Sequence, residues 1–135
     1  MSHPGIGLMR ALARLPLPWL RALGGVLGRL LFALARRCRH IALVNLRLAF
    51  PEWREDERIA VARRSFIAFA QSFIDRAWVW HAPDAVVRQR IRLTGAVHEL
   101  RRPEAAVLFA PHFYGMDAGG AAIMQQAVRI GGSIY

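Results

Sequence analysis

The chain of 135 residues is long enough to bury a core of its own, and its composition, with 55% hydrophobic and 21% charged residues, excludes intrinsic disorder. Its one cysteine, Cys38, excludes a disulfide framework and a zinc site built from cysteines. All 19 basic residues are arginine, against 9 acids, so the formal net charge is +10. This charge predicts an anionic partner: phospholipid headgroups, nucleic acid or an acidic protein.

The N-terminal stretch carries an uneven share of this charge. Residues 1–51 hold eight arginines and no acid, and 17–39 is predicted to form one helix. At about 100° per residue, arginines lie along one side of this helix and leucines along the other. The two rows are Arg21, Arg29, Arg36 and Arg39, and Leu23, Leu27, Leu30 and Leu34. The pattern is typical of a helix lying among the headgroups of an anionic membrane, so we predict a membrane-associating segment over 1–40 and a second region over 41–135.

Three other interpretations of the N-terminal segment stay open. A tilted transmembrane span is one, although Arg29 divides the apolar stretch. A secretory signal sequence is suggested by residues 33–35, and an ordinary core helix with a solvated basic face has the same periodicity. Nucleic acid is not expected as a partner, because the arginines oppose leucines rather than accompany stacking aromatics.

Helical periodicity continues over 39–50 and resumes after Pro51 to about Trp80. Four acids open this later helix, where they suit the positive end of the helix dipole. One of its faces is predicted to pack in the core, and the opposite face, which includes Asp75, is predicted to meet water. The residues on the predicted core face are Ile59, Phe66, Ala70, Phe73, Ala77 and Trp80.

The second half of the chain changes period. A short helix after Pro83 is followed by an alternating segment at 91–94 that predicts a strand. The apolar run 105–110 predicts a buried strand of a parallel sheet. A helix is predicted over 117–128 and another strand from 133, where the sequence ends, so the chain is expected to be part of a larger domain. The predicted fold class is therefore α/β: basic amphipathic N-terminal helices followed by the start of a mostly parallel sheet with covering helices.

Two polar residues flank the loop between the predicted buried strand and the next helix. His112 follows the strand and Asp117 opens the helix, and functional groups cluster at the carboxyl ends of strands in open α/β sheets. A carboxylate on Nδ1–H fixes the tautomer of a histidine and leaves Nε2 free as a base. Because the loop has no Ser or Cys nucleophile, the pair is predicted to deprotonate a substrate hydroxyl. The alternative is a structural loop with a helix-capping aspartate, since this spacing also arises by chance.

The His-x4-Asp pattern after an apolar stretch resembles the motif of the glycerolipid acyltransferase superfamily. The chain is more closely similar to the bacterial lipid A biosynthesis (late) acyltransferases in three segments. These are Asn-Leu-Arg-Leu-Ala-Phe-Pro-Glu at 45–52, Ala-Pro-His-Phe at 110–113 and Asp-Ala-Gly-Gly at 117–120. The basic apolar N-terminus and the helix around 71–73 are similar as well, so the resemblance covers essentially the whole chain.

The resemblance implies a membrane-bound enzyme on the cytoplasmic face of the Gram-negative inner membrane. Its implied reaction is transfer of a fatty acyl group from acyl carrier protein to a hydroxyl of a lipid A precursor, with His112 as the general base and Asp117 as its orienting partner. The implied partners are acyl carrier protein, a lipid A precursor and anionic membrane lipid. No cofactor and no metal is expected, because the donor thioester is already activated. Family members are longer, and region 41–135 corresponds to the N-terminal part of their acyltransferase domain.

Two alternatives to lipid A acyl transfer stay open. One is an acyltransferase of the same superfamily that acts on a lysophospholipid or an aminolipid. The other is a non-enzymatic, basic peripheral-membrane or nucleic-acid-binding protein in which the His-x4-Asp spacing is accidental.

Overall fold

The computed structural model of the chain describes residues 4–102, 104, 107 and 109–126. These residues form six α-helices and one short 3₁₀ helix. In chain order the helices are α1 (Pro4–Ala13), α2 (Leu17–Leu34), α3 (Arg36–Ala49), α4 (Glu55–His81), α5 (Asp84–Arg90), the 3₁₀ helix (Val97–Arg101) and α6 (Met116–Gln126). The chain divides into two compact units, Leu15–Ile74 and Met1–Arg14 with Asp75–Tyr135, so the boundary falls inside α4.

The single helix predicted over 17–39 is wrong, because the backbone leaves the helical conformation at Ala35 (φ −81°, ψ 65°). The carbonyl groups at the end of α2 then take a donor from the next helix. Arg39 Nη1 donates to Phe32 O at 2.8 Å and to Ala33 O at 3.3 Å. This guanidinium caps α2, as basic side chains near helix C-termini do. The row of arginines predicted on one helix is therefore divided between α2 and α3.

Helix α2 packs on the first part of α4 through glycines. A Cβ at Gly24 would lie 2.7 Å from Gln71 Cγ, and a Cβ at Gly28 would lie 2.8 Å from Phe66 O. Gln71 also donates from Nε2 to Arg21 O at 3.0 Å. The missing side chains let the two helix backbones approach closely, as small residues four positions apart do. Since the glycines face α4, the leucine row of α2 lies on its outer side.

The helix predicted from the acids after Pro51 to about Trp80 is confirmed as α4, with three acids in its first turn. Its predicted core face is partly wrong. Phe73 and Trp80 are 49% and 58% exposed, whereas Asp75, predicted to meet water, is buried. Trp78 Nε1 donates to Asp75 Oδ1 at 2.9 Å, and this hydrogen bond satisfies the buried carboxylate.

The short helix predicted after Pro83 is confirmed as α5, and the helix predicted from Asp117 is confirmed as α6 up to Gln126. The remaining predicted positions of that helix, 127 and 128, lie outside the described residues. A side-chain hydrogen bond from Gln125 Nε2 to Asp84 Oδ1, at 3.2 Å, joins the two helices.

The predicted α/β fold class is wrong, because the part of the chain that the structure describes contains no strand. Residue Ile91 is extended (φ −123°, ψ 128°), as the pattern at 91–94 predicts, but a side chain occupies the place of a strand partner. Gln126 Nε2 donates to Ile91 O at 2.9 Å, and Leu93 N donates to Gln126 Oε1 at 3.5 Å. One side-chain amide therefore satisfies the backbone groups that a neighbouring strand would otherwise satisfy.

The apolar run 105–110, predicted as a buried strand, is also not a strand in its described members. Val107 and Phe109 have no regular structure and are 99% and 89% exposed. The physical reason is that a strand is stable only beside other strands, and the described residues supply none. Residues 105, 106 and 108 and the strand predicted from 133 lie outside the described residues. The mostly parallel sheet with covering helices is thus replaced by a helical fold over the described ranges.

Candidate active site

The loop before α6 carries His112, which is exposed. A tight turn follows the histidine: Met116 N donates to Phe113 O at 3.4 Å, and Gly115 adopts φ +89°. This left-handed backbone conformation strains residues that have a Cβ, so glycine suits the position. Gly119 N donates to Gly115 O at 3.0 Å and closes the first turn of α6. The start of α6 therefore comes directly after the histidine loop.

Asp117 lies in the first turn of α6, where its charge suits the positive end of the helix dipole. Arg76 of α4 donates from Nε to Asp117 Oδ2 at 2.6 Å. The guanidinium carbon of Arg76 also lies 5.7 Å from the ring centroid of Trp80, within the range of a cation–π contact. Both charged side chains are 39% exposed, so the pair is accessible from solvent.

Buried side chains fix the end of α4 that carries Arg76. Trp78 is 3% exposed and donates its indole N–H to Asp75. The guanidinium carbon of Arg90, from α5, lies 5.1 Å from the centroid of the Trp78 ring. A buried aromatic ring with partners of this kind keeps its helix turn in one orientation. The turn therefore holds Arg76 in place toward α6.

The two predicted site residues lie close in sequence at the start of α6, with His112 in the preceding loop and Asp117 in the first turn, but they do not contact each other through a hydrogen bond. No hydrogen bond links the two, both of which belong to the described residues, and Asp117 contacts Arg76 instead. A carboxylate accepts hydrogen bonds through both oxygens, and Arg76 contacts Oδ2, so Oδ1 is geometrically separate from that contact. The His–Asp dyad stays a prediction.

Sequence reasoning missed Arg76 as the partner of Asp117. The two residues are 41 positions apart, and no local pattern connects them. It also missed the close contact that α2 makes with α4 through Gly24 and Gly28. That feature has a visible signal, because two glycines four positions apart on an apolar helix are typical of close helix packing.

Metal-binding groups do not gather in the described ranges. No set of three or more His, Cys, Asp or Glu side chains there is placed to hold a metal ion. The single cysteine, Cys38, is exposed and has a free thiol.

Helix α2 carries the main apolar surface of the N-terminal segment. Among the described residues it is the one helix long and apolar enough to cross a membrane by length and composition, and 22% of it is buried. A helix of this kind near an N-terminus also suits a signal sequence or a protein core. Its outer face is formed by exposed Trp19, Leu23, Val26, Leu27, Leu30 and Leu34. Contiguous exposed apolar surface indicates contact with a membrane or another protein.

Comparisons with known proteins agree on one family. The model of the family described as bacterial lipid A biosynthesis acyltransferase matches residues 2–133. The chain is 27% identical over 130 residues to lipid A biosynthesis lauroyltransferase of Escherichia coli K12, covering 94% of this chain and 42% of that protein. It is 27% identical over 120 residues to lipid A biosynthesis palmitoleoyltransferase of the same organism, covering 86% and 39%.

A further relative comes from another organism. The chain is 28% identical over 123 residues to a lipid A biosynthesis acyltransferase of Haemophilus influenzae, covering 88% of this chain and 39% of that protein. The chain thus spans about two fifths of the length of the curated relatives it matches. No solved structure matches it.

Proposed function

Because the chain belongs to the bacterial lipid A biosynthesis acyltransferase family, we propose that this protein transfers a fatty acyl group from acyl carrier protein to a hydroxyl of a lipid A precursor. The family match over residues 2–133 is the observation that carries the proposal. The names of the bacterial relatives support it, since all of them act in lipid A biosynthesis and several name the fatty acyl group that they transfer.

His112 is the proposed general base. Its Nε2 takes the proton of the acceptor hydroxyl while that oxygen attacks the thioester carbonyl carbon. A carbon–oxygen bond forms, the tetrahedral oxyanion collapses, and the carbon–sulfur bond breaks. The carrier leaves as a thiolate and takes the proton from the imidazolium. General base catalysis of this kind contributes ~10²–10⁴-fold, and positioning and oxyanion stabilisation contribute the remainder.

Asp117 is the proposed orienting partner of the histidine. Arg76 fixes the carboxylate through Oδ2, and the proposal assigns Oδ1 to the Nδ1–H of His112. This bond requires the loop at His112 to close toward α6 when substrate binds, and catalytic hydrogen bonds of unliganded enzymes commonly tighten in that way. In the closed arrangement the carboxylate selects the tautomer with Nε2 free and stabilises the imidazolium.

The acceptor is a lipid, so the enzyme is proposed to work at the membrane surface, on the cytoplasmic face that the family resemblance implies. Helix α2 offers an apolar outer face, but its inner face packs on α4 at Gly24 and Gly28. Arg63 and Arg64 of α4 are exposed close to this contact. Each guanidinium at the centre of a bilayer costs at least ~2.5–3.5 kcal/mol. We therefore assign α2 to the headgroup region rather than to a transmembrane span.

Purified full-length enzyme tests the reaction directly. Acyl transfer from an acyl-loaded carrier protein is followed by mass spectrometry with a lipid A precursor, a lysophospholipid and an aminolipid as separate acceptors. The proposal predicts an acylated product from the lipid A precursor and little from the other two. Product from the lysophospholipid or aminolipid alone assigns the enzyme to another branch of the superfamily.

Cysteine labelling tests the position of α2. Cys38 lies just beyond the C-terminal end of α2, and Gly7 of α1 precedes α2 in the chain. Spheroplasts carrying either the native Cys38 or a Gly7→Cys, Cys38→Ser variant are treated with a membrane-impermeant maleimide. An interfacial helix leaves both positions unlabelled until the spheroplasts are lysed. Labelling of one position in intact spheroplasts demonstrates a transmembrane span.

A further inference from the structure

Three arginines lie near Phe32, close to where α2 packs on α4. The guanidinium carbon of Arg39 lies 5.4 Å from the ring centroid of Phe32, and that of Arg63 lies 5.5 Å from it. Arg29 and Arg63 line an open depression of about 260 Å³ together with Phe32 and Ala33. We call Arg29, Arg39 and Arg63 the arginine cluster.

Acidic side chains do not neutralise the arginine cluster in the described part of the chain. None of its three members forms an ion pair with a carboxylate among the residues that the structure describes. Arg29 and Arg63 line the same depression, so their like charges repel one another and a bound anion relieves that repulsion. Guanidinium groups match phosphate oxygens with paired hydrogen bonds, which favours a phosphate group as that anion.

The surroundings of the arginine cluster fit a lipid rather than a free ion. Arg29 lies on α2, whose outer face exposes Leu23, Leu27, Leu30 and Leu34. An interfacial helix places such leucines among acyl chains and its flanking arginines at headgroup level. A lipid whose phosphate enters the depression can therefore lay its chains along the same helix. The depression is smaller than the roughly 300–1,000 Å³ of pockets for drug-sized ligands, which suits a headgroup.

We propose that Arg29 and Arg63, which line the depression beside Phe32, bind the phosphate of one anionic lipid headgroup, and that Arg39 adds the third positive charge of the arginine cluster. The site rests on the proposed membrane association of α2, to which it adds a defined ligand and defined residues. Arg39 has a second role there, since it also caps the carbonyls of α2, so its replacement is unsuitable as a test.

The test compares two double variants that remove the same charge. Arg29→Gln/Arg63→Gln removes two members of the arginine cluster. Arg37→Gln/Arg64→Gln removes two exposed arginines outside it, one of which directly follows Arg63 on α4. The whole protein is floated with vesicles of digalactosyldiacylglycerol, a neutral lipid without phosphate, containing either phosphatidate or oleate at matched surface charge.

The proposal predicts that wild-type protein prefers phosphatidate to oleate vesicles and that only Arg29→Gln/Arg63→Gln loses this preference. Its loss on phosphatidate should exceed that of the control by about tenfold, the scale of one charge-assisted hydrogen bond. Equal losses in the two double variants overturn the site. Wild-type protein that binds neither anionic vesicle overturns the membrane association itself, which is a different result.

Two further arms separate the other sources of phosphate. If inorganic phosphate binds wild-type protein while Arg29→Gln/Arg63→Gln still binds phosphatidate vesicles normally, the ligand is free phosphate and the lipid site is overturned. If Arg29→Gln/Arg63→Gln loses oligonucleotide binding but still binds phosphatidate vesicles normally, the lipid site is overturned in favour of a nucleic-acid site. If Arg29→Gln/Arg63→Gln fails to fold, Arg29→Lys/Arg63→Lys is used instead, because it keeps the charge and removes the guanidinium fork. That variant should bind oleate vesicles normally and lose the preference for phosphatidate, and retention of the preference contradicts the proposal.

Discussion

Arg76 Nε donates a 2.6 Å hydrogen bond to Asp117 Oδ2 and so joins α4 to the first turn of α6. The guanidinium contacts the ring of Trp80 at the same time. A carboxylate held through one oxygen keeps a fixed direction for the other oxygen. We therefore propose Arg76 as a positioning residue for the His112–Asp117 dyad, acting through Asp117 without contacting the reacting atoms.

Replacing Arg76 by Gln should lower kcat by about 10- to 100-fold with little change in KM, because misplacing an orienting group by about 1 Å costs that much. Arg76→Lys keeps the charge but offers a point donor, so it should lose less. The matched control is Arg88→Gln, an exposed arginine of α5. Steady-state kinetics with a lipid A precursor measures the split between kcat and KM.

The same Arg76 variants distinguish positioning from folding. An exposed ion pair contributes only ~0.2–1 kcal/mol to stability, so the thermal midpoint of Arg76→Gln should stay close to that of the control. A large fall in that midpoint together with an unchanged kcat assigns Arg76 a structural role.

The contact of α2 with α4 should tolerate no side chain at Gly28. An added Cβ would lie 2.8 Å from Phe66 O and 2.9 Å from Ile67 N, which are backbone atoms that cannot rotate away. Gly28→Ala should therefore destabilise the protein by ~1–3 kcal/mol, the usual cost of overpacking. Gly7→Ala is the control, since nothing lies within 4 Å of its added Cβ, and it should stabilise α1 by ~0.5–1 kcal/mol. Urea denaturation measures the free energy of unfolding of the two variants. A Gly28→Ala variant as stable as wild type would contradict the close contact.

Stability should fall in acid through the carboxylate of Glu55. The hydrogen bond from Arg47 is the main cause that holds the pKa of Glu55 below its ordinary value, and the charge of Arg58 adds to it. Arg54 likewise lowers the pKa of Asp56. A carboxylate with a lowered folded-state pKa stabilises the protein above its unfolded pKa, about 4 for these groups, and loses that contribution as pH falls through the folded pKa.

Glu55→Gln should accordingly flatten the acid limb of the stability profile, measured as the urea midpoint below about pH 5. Glu52→Gln, an exposed acid just before α4, is the control and should leave that limb as in wild type. The change is small because the groups are exposed. An identical acid limb in Glu55→Gln and Glu52→Gln shows that the ion pair with Arg47 does not persist in solution.

The helices with strong local signals were predictable. Acids in the first turn mark the start of α4, and Pro83 marks the start of α5; both come from chemistry within a few residues. The break at Ala35 had no such signal, because it is stabilised by the Arg39 side chain of the following helix. The periodicity of a helix does not show that a side chain of the neighbouring helix will cap its end.

The absence of strands from the described residues was not predictable for a related reason. An apolar or alternating run shows only that a segment can be extended, and whether it pairs depends on distant residues. At 91–94 the distant residue is Gln126, whose amide takes the place of a strand. In the candidate site, sequence reasoning placed His112 and Asp117 beside one loop, while the contact of Asp117 with Arg76 depends on the fold.

The most direct test of the proposed chemistry is acyl transfer by the full-length enzyme carrying His112→Ala, alone and combined with Asp117→Asn. The substrates are acyl carrier protein that carries a labelled acyl chain and a lipid A precursor, and the membrane content of each variant is matched. If His112 is the general base, His112→Ala should lose ~10²-fold or more in turnover. The double variant should be little worse, because the two residues serve one step. Near-normal turnover by His112→Ala would contradict the account, since the histidine would then belong to a structural loop.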